Sequence, residues 1–154
     1  MPATRRAGYH PCVRVIAFDP GRRRVGVAIS DASGVLARPL DVIHETGPAQ
    51  LDRIVETVRR LAAEDDGLDI VVIGLPRHLD GTPTPETTEV QVLAEALARR
   101  IAQPIVLQDE RLSSVEAESR LAVQDKDWRS RKKKLDAAAA AVILQDYLDG
   151  RSRQ

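Results

Sequence analysis

"VIAFDPGRRRVGVAIS", residues 15–30, decides the fold of this chain. Two apolar runs rich in valine and isoleucine, the pattern of buried β-strands, flank the polar segment "DPGRRR". A connection this short joins antiparallel neighbours, so the stretch predicts a β-hairpin. Asp19 ends the first strand, and Arg22, Arg23 and Arg24 lie beside it at the turn. This placement of one carboxylate and three cations indicates a role beyond folding.

Strand patterns continue on both sides of the hairpin. Its first run begins at Val13, and a third run, Val35–Ile43, follows the turn "SDASG". Pro39 in this third run has no N–H to donate to a neighbouring strand, which predicts an edge strand. Two further apolar runs, "DIVVIGLP" from Asp69 and "PIVLQDE" from Pro104, predict a fourth and a fifth strand.

Between and after these strands the apolar residues take helical spacing. One stripe runs over Leu51–Ala62 and a second over Val90–Ile101, with Thr84–Pro85 suited to the N-cap and first helical residue. A capping box predicts a helix over Ser113–Leu121. The last helix, roughly Lys134–Asp149, contains "DAAAAAVILQ" and is apolar on all sides for two turns, which indicates burial against the sheet.

The order of elements predicts the fold class. Three hairpin-linked strands are followed by strands reached through helices, and right-handed crossovers make those added strands parallel. We therefore expect an α/β protein with three antiparallel strands, then two parallel ones, and helices on both faces of the mixed five-stranded sheet. The 154 residues fit a single domain over residues 12–150, after a flexible tail of residues 1–11.

Composition excludes several classes of protein. Lys and Arg together number 23, as do Asp and Glu, so the formal net charge of zero gives no sign of a nucleic-acid or membrane partner by itself. Cys12 is the only cysteine, which excludes an intrachain disulfide and a cysteine-rich zinc site. The sequence shows neither a secretory signal nor an apolar run long enough to span a membrane. We expect a soluble, cytoplasmic protein.

Three acidic residues occupy positions that burial alone would not favour. Asp19 ends strand one, Glu110 ends strand five, and Asp136 falls in the first turn of the predicted last helix. The carboxyl ends of parallel strands share one edge of a sheet, where ligands bind. Carboxylates about 5 Å apart repel by about 3 kcal/mol per pair at an effective dielectric constant near 20, so such a cluster usually holds a cation. Oxygen ligands suit Mg²⁺ or Mn²⁺.

Each acid also has a purely structural interpretation. Asp19 before Pro-Gly is a common turn residue, and Asp136 would favour the positive end of its helix. Glu110 has Arg111 as a neighbouring counter-ion. Asp109 points to the opposite side of the strand from Glu110, so only one of these two acids can join a cluster on one face.

Cationic segments predict a nucleic-acid substrate. "KDWRSRKKK", residues 126–134, carries six cationic side chains and the only tryptophan, and leads directly to Asp136. Phosphate contacts with stacking on tryptophan would suit single-stranded or distorted nucleic acid, whereas a solvated loop is the alternative. The predicted nucleic-acid contacts are Arg22, Arg23, Arg24, Arg77, Arg111, Trp128, Arg129, Arg131, Lys132, Lys133 and Lys134.

Four segments in order, "AFDPGRRRVGVAISD", "VVIGLPRHLDGT", "VLQDERLSSVEA" and "KKKLDAAAAAVILQDYL", resemble the YqgF family, also called RuvX, of bacterial RNase H-like nucleases. The resemblance spans Val13 to Leu148. It implies metal-dependent cleavage of nucleic acid, with the family's catalytic, metal-binding acids at Asp19, Glu110 and Asp136. Members of the family are described as Holliday junction resolvases and as the nuclease that matures the 5′ end of 16S ribosomal RNA.

Three functions remain open from the sequence. The first is an endonuclease that acts with two metal ions in 5′-end maturation of pre-16S rRNA. The second is a Holliday junction resolvase acting on branched or single-stranded DNA, which predicts a homodimer because two active sites cut opposed strands. The third is a nucleic-acid-binding module without catalysis, which predicts salt-sensitive binding that is indifferent to divalent metal.

Overall fold

The predicted hairpin lies within a five-stranded sheet in a computed structural model, which describes residues 12–21, 23–109 and 128–152, with only the backbone for 128–135. Its antiparallel part is β3-β2-β1, and β4 and β5 continue parallel to β1 to complete the order β3-β2-β1-β4-β5. This confirms the predicted mixed sheet. The strands are β1 (Val15–Pro20), β2 (Val25–Ser30), β3 (Ala37–Ile43), β4 (Ile70–Leu75) and β5 (Ile105–Asp109).

Strand β3 lies at one edge of the sheet, as its proline predicts. It pairs with β2, and the register between these two strands shifts between Val27 and Ala28, so that Ala28 lies opposite Pro39. This irregularity is a β-bulge, in which one strand carries an extra residue. A proline is tolerated there because no neighbouring strand requires its missing N–H.

Two helices cover one face of the sheet and a third covers the other. They are α1 (Pro48–Ala62), α2 (Pro85–Ala98) and α3 (Trp128–Ser152). Thr84 caps α2 by accepting a hydrogen bond from the Thr87 backbone N–H, while the Thr87 hydroxyl accepts one from the Thr84 N–H. Pro85 is the first helical residue, so the predicted start of α2 is confirmed.

The alternation of side chains along the strands divides the core in two. Ile16 and Phe18 of β1 pack towards α1 and α2, whereas Val15 and Ala17 pack towards α3. Alanines of the run "AAAAA" are buried in α3, among them Ala137 and Ala140, and larger apolar residues follow them along the helix. The buried members of the second core from α3 are Ala140, Ile143, Leu144 and Leu148.

The predicted start of the last helix was wrong. Helix α3 begins at Trp128 rather than near Lys134, so Asp136 follows more than two helical turns and is not in the first turn. The sequence argument relied on apolar periodicity, which residues 128–134 lack, but arginine and lysine are good helix formers without it. The macrodipole at a helix N-terminus therefore does not account for Asp136, since that effect is confined to the first turn.

Some predictions concern parts of the chain outside the described residues. These are the tail of residues 1–11 and the helix over Ser113–Leu121. Among the described helices, none combines the length and apolar character needed to cross a membrane.

Gly26 allows α3 to lie directly on the sheet. A Cβ atom placed on this residue would come within 2.0 Å of the Asp136 carbonyl oxygen and 2.7 Å of its carbonyl carbon. Both atoms are backbone atoms, so a side-chain rotation cannot relieve the contact. The absence of a side chain at Gly26 thus sets how closely α3 approaches β2.

We predict that Gly26→Ala destabilises the protein by about 2–3 kcal/mol, the range for inserting an atom into a packed interior. Gly150→Ala, in the same helix as Asp136, is the matched control because a Cβ there meets no atom within 4 Å. The control should be neutral or up to about 1 kcal/mol more stable, since alanine is the better helix former. Urea unfolding followed by circular dichroism measures both, and equal stability of the two variants would contradict the assigned contact.

Candidate functional site

Asp19 lies on the face of the sheet that α3 covers. It is half-buried near the end of β1, and it shares the strand alternation of Val15 and Ala17, which pack against α3. Its partner on β2 is Gly26. Residues directly opposite each other in an antiparallel pair point to the same face, and the α3 backbone at Asp136 fills the place that a Gly26 side chain would take next to Asp19.

Asp136 comes to the same place from the other end of the chain. Its carbonyl oxygen lies 2.0 Å from the position of a Gly26 Cβ. Directly opposed Cβ atoms are about 5 Å apart, so the Asp19 Cβ lies within about 7.5 Å of the Asp136 carbonyl oxygen. Two of the three predicted acids, Asp19 and Asp136, therefore have their backbones close together at Gly26.

Arg24 is the immediate counter-ion of Asp136. Its Nη1 lies 3.4 Å from Asp136 Oδ2, and the two side chains are 32% and 31% exposed. The Arg24 backbone is held by the turn, where its carbonyl accepts a 2.7 Å hydrogen bond from the Gly21 N–H. The sequence predicted a phosphate contact for Arg24 and missed this ion pair.

Glu110, the third predicted acid, and Arg111 lie outside the described residues. Within the described ranges, no group of three or more Asp, Glu, His or Cys residues is arranged to hold a metal ion. On β5, Ile105 packs towards α1 and α2 and Val106 towards α3. By this alternation Gln108 faces α3 and Asp109 faces away from it.

The residue between Asp19 and β5 on this face of the sheet is a buried glycine, Gly74. Val72 of β4 packs towards α3, so Gly74 shares that face, and Gly74 pairs with Gln108. Two glycines, Gly26 and Gly74, thus flank Asp19 on neighbouring strands. A glycine inside a strand often marks the close approach of a backbone or ligand, which is the sequence signal that would have singled out both residues.

The predicted Arg77 contact lies in an ordered loop after β4. Arg77 is exposed and forms an isolated β-bridge with Pro83. The Asp80 carboxylate accepts hydrogen bonds from the Thr82 hydroxyl at 2.7 Å and the Thr82 N–H at 2.9 Å, and these lower the pKa of Asp80. The loop is also tied to α2, because the Thr87 hydroxyl donates to the Pro76 carbonyl.

The other predicted cations are less fully described. Arg23 is exposed in the hairpin turn, and Arg22 lies outside the described residues. The predicted contacts at Trp128, Arg129, Arg131, Lys132, Lys133 and Lys134 all belong to the beginning of α3, where only the backbone is described. This segment is therefore helical rather than the loop that the sequence indicated, and it leads directly to Asp136.

A pocket of about 110 Å³ lies on the opposite face of the sheet from Asp136. Pro20 and Gly21 form one wall, and α1 and α2 supply the remainder, including Glu86 and Glu89. Two carboxylates would repel a phosphate backbone, so this pocket is not suited to nucleic acid.

Comparison with known proteins decides the family. A family model described as "RuvX: Holliday junction resolvase" matches residues 13–150. The chain belongs to the RuvX family. This confirms the resemblance predicted from the four sequence segments, and it supports the predicted nuclease role.

Curated relatives of this RuvX-family chain share most of its length. A protein of Anaeromyxobacter sp. (strain Fw109-5) is 42% identical over 140 residues, covering 90% of this chain and 98% of its own. One of Pelotomaculum thermopropionicum is 37% identical over 143 residues, covering 92% and 90%. Both carry the name "Putative pre-16S rRNA nuclease".

Among solved structures, T. thermophilus RuvC in complex with Holliday junction substrate matches with a TM-score of 0.47. The two chains are 17% identical, and the match covers 91% of this chain and 96% of RuvC. A likeness of this degree carries no functional argument. The family assignment depends on the sequence matches alone.

Proposed function

We propose that this RuvX-family chain is a nuclease that depends on divalent metal and hydrolyses phosphodiester bonds in the 5′-end maturation of pre-16S rRNA. The observation that supports the chemistry is the convergence of Asp19 and Asp136 beside Gly26, from sequence positions more than a hundred residues apart. The names of the relatives support the substrate. The cytoplasm, where ribosomal RNA is processed, is the proposed location.

The donor set at this edge fits a hard divalent cation. Asp19 and Asp136 offer carboxylate oxygens, which Mg²⁺ and Mn²⁺ prefer. We assign Glu110 as the third ligand because the family resemblance places the third catalytic acid at this position of the sequence. Bound there, two such ions would activate a water molecule and stabilise the leaving oxygen of the phosphodiester.

The chain's own residues would bind and orient the substrate. Arg23 in the hairpin turn and Arg77 after β4 are exposed cations at the carboxyl edge of the sheet, near Asp19. The basic beginning of α3 leads to Asp136 from the same side. Cations on these elements would hold the phosphate backbone at this edge of the sheet, beside Asp19.

Removing any one of the three acids should abolish cleavage without unfolding the protein. We expect Asp19→Asn, Glu110→Gln and Asp136→Asn each to lower the rate of Mn²⁺-dependent cleavage by about 10²-fold or more, the scale for losing one group that stabilises a transition state. Cleavage of a labelled pre-16S rRNA fragment, with circular dichroism for folding, measures the effect.

Two acids provide matched controls for that experiment. Asp109→Asn removes the charge next to Glu110 on the opposite side of β5, and Asp149→Asn removes an exposed charge from α3. Both should keep cleavage within a fewfold of the wild type. Wild-type cleavage by Asp19→Asn, or cleavage unaffected by EDTA, would overturn the proposed metal site.

The family description favours a second substrate, a four-way DNA junction. A resolvase would cut opposed strands symmetrically as a homodimer. We expect precursor RNA to be cut at one site at the 5′ end of the 16S sequence, and junction DNA to be cut more slowly. Mapping the cleavage products of both substrates, together with sedimentation of the protein, distinguishes the nuclease from the resolvase. Symmetric cuts in junction DNA made by a dimer would favour the resolvase.

The basic segment should contribute affinity rather than chemistry. Replacing Lys132 and Lys133 by Ala should weaken RNA binding and reduce the slope of log K against log salt by about 1.4, at about 0.7 per phosphate contact on a single strand. Fluorescence anisotropy at several salt concentrations measures the slope. An unchanged slope would show that this segment does not contact the RNA phosphates. RNA binding by the wild type without any metal-dependent cleavage would favour a non-catalytic binding module.

A further inference from the structure

Arg24 occupies the position from which a cation would compete with a metal ion for Asp136. Its Nη1 lies 3.4 Å from Asp136 Oδ2, across 112 residues of sequence. Arg24 precedes Gly26 by two residues, so its side chain leaves the hairpin on the α3 side, next to Asp19 and Asp136. One carboxylate is thus shared between the proposed metal site and the hairpin turn.

The charges at this position favour one cation at a time. A guanidinium beside Asp136 and a divalent ion on the same carboxylate would repel each other, because both are positive and they are separated by little more than the carboxylate itself. The Arg24 side chain is about one-third exposed, whereas its backbone is fixed by the hydrogen bond from Gly21. The guanidinium can therefore turn towards solvent without any change in the hairpin.

We propose that Arg24 is a positioning residue that holds the Asp136 carboxylate in the metal-free protein and transfers to a substrate phosphate when a divalent ion binds. The proposal rests on the proposed metal site and goes beyond it, because it couples two ligands. When a metal ion binds Asp136, Arg24 becomes available to bind a phosphate. When a phosphate binds Arg24, the Asp136 carboxylate becomes available to bind the metal ion. By linkage, each ligand should strengthen the binding of the other by the same factor.

The test measures Mn²⁺ affinity without turnover, by electron paramagnetic resonance of free Mn²⁺. Arg24→Gln should bind Mn²⁺ about two- to fivefold more tightly than Arg23→Gln, since a partly exposed ion pair is worth up to about that factor. Arg23→Gln is the matched control because it removes the same charge from the same turn at an exposed position. Arg24→Lys, which keeps a cation at this position, should bind Mn²⁺ nearly as the wild type does.

The coupling is measured by repeating the titration with a short phosphorothioate RNA that resists cleavage. At saturating RNA, Mn²⁺ binding to the wild type should tighten, and the enhancement should be at least twofold smaller in Arg24→Gln. Mn²⁺ affinity of Arg24→Gln equal to or weaker than that of Arg23→Gln would overturn the proposal, as would an undiminished enhancement. Circular dichroism checks that each variant folds. If Arg24→Gln does not fold, Arg24→Lys is used in the RNA titration instead. The proposal is then overturned if RNA no longer strengthens the binding of Mn²⁺ to Arg24→Lys.

Asp19→Asn separates this inference from the proposed function in the same assay. If the wild type and Asp19→Asn bind Mn²⁺ equally, the proposed metal site is wrong and the role of Arg24 falls with it. If Asp19→Asn weakens Mn²⁺ binding but Arg24→Gln does not strengthen it, the metal site stands and only the counter-ion role is overturned.

Discussion

The contact between the backbone of α3 at Asp136 and the backbone of β2 at Gly26 is the constraint on which the site depends. A single methyl group at Gly26 would overlap the Asp136 carbonyl group. Because Gly26 is also the partner of Asp19, the close contact that seats the helix on the sheet also brings the second acid to the first. Packing and chemistry therefore share one glycine.

Like charges are clustered along the chain although its formal net charge is zero. Glu86 and Glu89 of α2 line the pocket next to the turn after β1, and six cationic residues lie within residues 126–134 of the sequence. This arrangement explains why total composition gave no sign of a nucleic-acid partner, since the information lies in the distribution of charge.

Much of the fold could be predicted because it depends on local patterns. The hairpin, the edge position of β3 and the start of α2 follow from apolar alternation, from the missing N–H of Pro39 and from the Thr84–Pro85 cap. The start of α3 could not be predicted in this way, because Trp128 to Lys134 form a helix without an apolar stripe. At the site, strand ends predicted that Asp19 and Asp136 meet. The ion pair between Arg24 and Asp136 depends on the direction that one long side chain takes from a turn. Hydrophobic periodicity in the sequence does not predict that direction.

The irregular edge at β3 has a consequence for how copies of this chain can associate. A proline and a bulge interrupt the row of backbone groups that an incoming strand would need for pairing. Joining two sheets into one continuous sheet through this edge is therefore disfavoured. Two copies that act together on a branched substrate would need to meet through surfaces other than the β3 edge, and those contacts would set the relative orientation of their catalytic edges.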